Sequence, residues 1–139
     1  MCGSRASSGL WDSADVVRLV VPPSSEFLRT IRLVAADAAV RAGLDCEEVE
    51  DFRIAVDELS HFLMGSTDDY VEFRVVATDE SVVAHGSVQS RTGAASGRPN
   101  DLSTLILAST TDYYTVETDD GKLTFTVAKQ AHHVLADQR

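Results

Sequence analysis

Few of the residues in this chain combine into patterns that could do chemistry. The histidines are His61, His85, His132 and His133. None stands with a serine and an acid in a local context that marks nucleophilic catalysis. None is spaced with Cys2 or Cys46 as zinc ligands are. Gly93 and Gly97, in TGAASG, suggest a phosphate loop. The Lys-Ser/Thr ending and the strand–loop–long-helix setting that let such a loop grip phosphate do not follow, so a flexible loop is the simpler reading. Asp119 and Asp120 are adjacent acids that a tight turn accounts for. Glu58, taken alone, reads as a solvated or salt-bridged carboxylate, because glutamate is mostly an exposed residue. No metal site is expected.

These residues need elements to position them. Val16 to Val21 is a β-rich run stopped by Pro22-Pro23, which lack the N–H groups a ladder needs. Ser24 or Ser25 is placed to cap a helix in which Phe27, Ile31, Val34, Ala35 and Ala38 recur at helical spacing up to Gly43. A second helix opens with Asp45 and Glu48, spaced as a capping box. Val49, Phe52, Val56, Leu59 and Leu63 form its apolar stripe, and Gly65 ends it. Tyr70–Ala77 and Val82–Gln89 read as a hairpin around Thr78–Ser81. Arg91–Asn100 is a loop by composition. Asp101–Thr111 reads as a short helix with Leu102, Leu105, Ile106 and Ala108 facing inward. Asp112–Thr118 and Lys122–Ala128 are strands joined at Asp120-Gly121, a favoured tight-turn pair. The expected fold is α/β: a two-layer sandwich with a mixed, mostly antiparallel sheet and helices on one face. The expected divisions are a Ser/Gly-rich tail at 1–15, one domain at 16–129 and a polar tail at 130–139. Leu10 and Trp11 interrupt the first tail, free to dock on the domain or on a partner.

Composition narrows the function. The chain has 139 residues, enough for one buried core, with 12 Lys+Arg against 22 Asp+Glu and a net charge of -10. That balance argues against direct nucleic-acid binding, which needs clustered Lys and Arg. It suits a basic protein partner. Two cysteines make no disulfide framework and fit a reducing cytoplasm. No apolar run approaches a membrane span, and no signal peptide is evident.

The phrase Arg53-Ile54-Ala55-Val56-Asp57-Glu58-Leu59, the order of elements and the closing run TVETDDGKLTFTVAK resemble the RsbW-like anti-sigma factors of the GHKL (histidine kinase-like) ATPase superfamily. The resemblance covers roughly Val16 to Lys129. It implies a protein that binds a sigma factor or a STAS-domain antagonist of anti-sigma factors, often as a homodimer. It also implies, for many members, phosphorylation of a serine on that antagonist with ATP and magnesium.

Carried over residue by residue, the resemblance places Glu58 at the catalytic position, where the family's carboxylate acts as base or positions the attacking group. Four residues on, where the family has a magnesium-holding Asn, stands Phe62, which offers a hard cation no oxygen. His61 beside it points about a quarter turn away, and nitrogen suits magnesium poorly. Ser90 falls near the position of the adenine-anchoring Asp. Pro99 and Asp101 fall on the two glycines of the phosphate-cradling motif when Leu102 is set on its Leu. Pro99 has no N–H to donate, and Asp101 brings negative charge towards phosphate. The expectation is a regulator that grips a protein and needs no cofactor, with inefficient or absent use of ATP. The alternative is an ATP-dependent serine kinase working through Glu58. Glu26, Arg29 and Arg32, on the first helix and its entry, are the expected partner-binding residues.

Overall fold

The computed structural model describes Trp11 and residues 15–91 and 99–132. The elements run β1 (Val17–Val21), a single 3-10 turn (Ser25–Phe27), α1 (Leu28–Arg41), α2 (Cys46–Met64), β2 (Val71–Ala77), β3 (Ser81–Gln89), α3 (Asp101–Thr110), β4 (Tyr113–Asp119) and β5 (Lys122–Gln130). They form a five-stranded sheet in the order β1-β2-β3-β5-β4. The sheet expected to be mostly antiparallel is antiparallel at every pairing.

Each helix end has a local cause. Neither Ser24 nor Ser25 caps α1 through its side chain, contrary to expectation; the chain enters through the 3-10 turn, whose Phe27 N–H meets the Ser24 carbonyl at 2.9 Å. At the far end Gly43 takes φ 89°, the Leu44 N–H reaches the Ala39 carbonyl at 3.2 Å, and the Gly43 N–H reaches that of Val40 at 3.0 Å. That double closure is a Schellman motif, and its left-handed residue favours glycine. The capping box of α2 forms as expected, with Asp45 Oδ1 accepting from the Glu48 N–H at 2.8 Å and Glu48 Oε1 from the Asp45 N–H at 2.9 Å. Glu48 also receives the His132 N–H at 2.7 Å, tying the start of α2 to the segment just past β5.

The stripes of α1 and α2 pack on one face of the sheet. Ile31, Ala35, Ala38, Phe52, Val56, Leu59 and Leu63 meet Phe73, Val75, Ala84, Phe125 and Val127 in one buried cluster. Gly86 permits the closest approach: a Cβ there would overlap the Phe125 ring, 2.8 Å from Cζ. Asp120 (φ 54°) and Gly121 (φ 81°) make the expected two-residue turn between β4 and β5, with positive φ at both central positions.

One inward face was misassigned by the sequence reading. Leu102 and Leu105 of α3 are 67% and 68% exposed and Ala108 is exposed, whereas Ser103, Leu107 and Thr110 are buried. Ile106 is half-buried. The helix LSTLILAST is apolar on several sides, so its spacing does not single out a face. Contact with α2 selects it. β5 runs on to Gln130, and the next residue, Ala131, is buried with its N–H on the Glu80 carbonyl at 2.7 Å.

Candidate functional site

The second half of α2 presents the residues singled out by the resemblance. Glu58 is half-buried, and its carboxylate accepts a hydrogen bond from the Ser103 hydroxyl of α3. Ser103 is itself fixed at the helix start, where its N–H meets Asn100 Oδ1 at 2.8 Å. The side chain of the capping residue Asn100 thus places Ser103, and Ser103 fastens α3 to Glu58. One turn along α2, Phe62 is half-buried against the core, while His61 is exposed. Asp57, on the neighbouring face, pairs with Arg32 of α1 at 3.5 Å.

Beyond α2 the chain loops beneath the end of β3. The Ser90 N–H donates to the Gly121 carbonyl at 2.7 Å, so its backbone is committed to the β4–β5 turn. Arg91 fans across the loop: its guanidinium reaches Asp68 at 3.2 Å and 3.3 Å, the Gly65 carbonyl at 3.2 Å and the Thr67 carbonyl at 3.3 Å. The Thr67 hydroxyl donates to the Gln89 carbonyl at 2.6 Å. A depression of about 490 Å³, lined by Thr67, Asp68, Asp69, Gln89, Ser90 and Arg91, opens there. Two aspartates and one already engaged arginine line it. Pro99 is half-buried just before Asn100, and Asp101 is exposed as the first residue of α3. Gly93 and Gly97 lie outside the described residues.

The structure therefore gathers Glu58 and Phe62 on one helix, with α3 bound against the first of them. Ser90 sits at the far end of β3 with its own partners. Among the described residues, no group of three or more His, Cys, Asp or Glu could hold a metal ion. Sequence reasoning missed Asn100, Ser103 and Arg91. An Asn three residues before a Ser at a helix start is a legible cap. Nothing local announces that Ser103 meets Glu58, 45 positions earlier.

The expected partner-binding residues divide. Arg29 and Arg32 line a groove of about 350 Å³ between α1 and α2 with Leu33, Ala36 and Arg53. Leu33 is 65% exposed at its centre. Arg53 is held by Glu50, whose hydrogen bond raises the guanidinium's pKa further. Glu26 is exposed on the 3-10 turn, outside the residues that line this groove.

The antiparallel sheet with helices on one face, the longest helix carrying Glu58, matches the histidine kinase-like fold of RsbW-type domains. Solved structures bear this out. One holds the RsbU and RsbW domains of a Mycobacterium tuberculosis protein, with TM-score 0.60 and 16% identity over 84% of this chain and 33% of that one. This chain thus spans about a third of that protein's chain. Another is the SiaB–SiaC complex from Pseudomonas aeruginosa, with TM-score 0.57 and 12% identity over 93% of this chain and 96% of that one. At such identities the likeness shows the fold. No family model and no curated protein matches the chain. No helix among the described residues is long and apolar enough to cross a membrane.

Proposed function

We propose that the chain is an anti-sigma-factor-like regulator that grips a sigma factor or a STAS-type antagonist and uses ATP poorly or not at all. The observation that carries this reading is the bond from Ser103 to Glu58. The carboxylate that a phosphoryl-transfer site would need open to an incoming hydroxyl already accepts one from its own fold. Phe62 adds no oxygen one turn away, and Asp101 opposes phosphate at the start of α3. The residues present are a poor fit to a magnesium nucleotide, so no step through one is drawn.

Binding of a protein draws support from two sources. The SiaB–SiaC structure is, by its name, a complex of two proteins on a related fold. The groove on α1 supplies a suitable surface, an exposed leucine framed by arginines. Arg32 and Arg53 are each paired with a carboxylate, so Arg29 carries the groove's uncancelled charge among the described residues, opposite in sign to the chain's net charge of -10. The segment bound there is accordingly acidic with an apolar anchor, rather than basic as net charge alone suggested.

Calorimetric titration with magnesium and ATP tests the first half of the proposal, and the expected result is no saturable heat. Tight binding, with phosphoryl transfer to a STAS protein abolished by Glu58→Ala, would reverse the reading in favour of a kinase. For the second half, purified sigma factors and STAS proteins from the source organism are assayed for direct association. Failure of every pair at low salt would remove it.

A further inference from the structure

The face of the sheet turned away from the helices carries an ordered row in cross-strand register: Arg18 on β1, Arg74 on β2, His85 on β3 and Thr126 on β5. Two arginines directly opposite one another repel. Arg18 is relieved by its ion pair with Glu72. Arg74 shows no carboxylate partner among the described residues, and its Nε is buried without a hydrogen bond. Its Cζ instead lies 5.2 Å from the centre of the Trp11 ring, and that ring lies 5.9 Å from the His85 imidazole, tilted by 55°. The His85 Nδ1 is 3.1 Å from the Thr126 hydroxyl. Val76, on the same face by strand alternation, is only 1% exposed, a burial that a bare sheet face does not give.

We propose that the outer sheet face is a docking surface for the chain's own Trp11, and that Trp11 acts as a clasp released by protonation of His85. Among the described residues the indole stabilises the unpaired Arg74 guanidinium through a cation–π contact. The groups that face His85 are Arg74 and Glu72 on β2 and Thr126 and Lys122 on β5. Burial comes first, then Arg74 and Lys122, in holding the imidazole pKa below its ordinary value; Glu72 opposes them. A ring that helps to bury a neutral imidazole must, by linkage, be loosened when that imidazole takes a proton. Release uncovers the cationic row, a surface distinct from the α1 groove.

Trp11 is the chain's single tryptophan, so its fluorescence reports the clasp without interference. Above neutral pH the emission should be blue-shifted and poorly quenched by acrylamide, and Arg74→Ala should increase quenching. Acidification below about pH 6.5, the ordinary imidazole value, should red-shift the emission and raise acrylamide quenching as His85 takes its proton. His85→Gln, which keeps a hydrogen-bonding side chain, should abolish that pH response. In Trp11→Ala the His85 resonance should titrate at a higher pH than in the parent protein. A solvent-like emission at neutral pH, or identical His85 titration with and without Trp11, would overturn the proposal. So would docking that strengthens with protein concentration, because the indole would then come from a second copy.

Discussion

At the residue scale the contacts of Glu58 decide what the helix face can do. Its partner Ser103 is buried and Glu58 is half-buried, so the bond between them is shielded on one side only. A hydrogen bond to a charged group is worth about 1.5–3 kcal/mol, and partial exposure favours the lower end. Ser103→Ala should therefore lower unfolding stability by about 1.5 kcal/mol. Hydrogen exchange should show the loss in α3 first, since the lost bond is one that fastens α3 to α2. In a double-mutant cycle with Glu58→Ala, which removes the acceptor, a coupling energy near zero would deny the contact any role. Gly86 presents the opposite problem, a shortage of space. Its neighbour Phe125 leaves no room for a methyl group, so Gly86→Ala should cost about 1–3 kcal/mol by overpacking. Adding Phe125→Leu should recover part of that loss in a denaturant titration. Unchanged midpoints in Gly86→Ala would show that the ring shifts freely.

At the element scale, local chemistry explains why the helices were legible in sequence, and an ambiguous apolar pattern explains the one inward face that was not. The start of α2 could be read from Asp45 and Glu48, because a capping box needs only residues three apart. The end of α1 could be read from Gly43, because a left-handed turn selects glycine wherever it occurs. The turn Asp120-Gly121 was readable for the same reason. In α3, Leu102, Leu105, Ile106 and Leu107 leave no polar side to mark the surface. The facing helix α2 made the choice, and it buried Ser103 and Leu107 instead of Leu102 and Leu105. The Glu58 position could be anticipated from its phrase. Its occupation by Ser103 could not, because the two meet only after α3 folds back across the chain. Local causes give local predictions. Asp45→Ala should destabilise the protein by about 1 kcal/mol, the usual worth of a cap. Glu48→Ala should cost more, because the same carboxylate also holds the His132 N–H beyond β5. Equal losses in the two variants, measured by thermal denaturation, would mean that the tether to His132 contributes nothing.

At the scale of the whole molecule, charge is unevenly shared, and that asymmetry governs encounter. The chain carries a net charge of -10, yet Arg29, Arg32 and Arg53 converge on one groove around Leu33. Arg32 and Arg53 are each already paired, with Asp57 and Glu50, so their fields are partly cancelled. Arg29 shows no such partner among the described residues and should dominate steering. Surface charges mainly alter association rates, whereas a desolvated apolar anchor mainly alters dissociation. The two kinds of residue in the groove can be told apart on that basis. Arg29→Glu should slow association with the captured protein by about tenfold at low salt, with the difference fading as salt screens the field. Leu33→Ala, which changes no charge, should leave the association rate nearly unchanged and speed dissociation instead. Because Leu33 is 65% exposed in the free protein, the melting temperature of Leu33→Ala should match the parent. Surface plasmon resonance across a salt series resolves both effects. Should both variants bind with parental rates at every salt concentration, the α1 groove would not be the contact surface, whatever partner is captured.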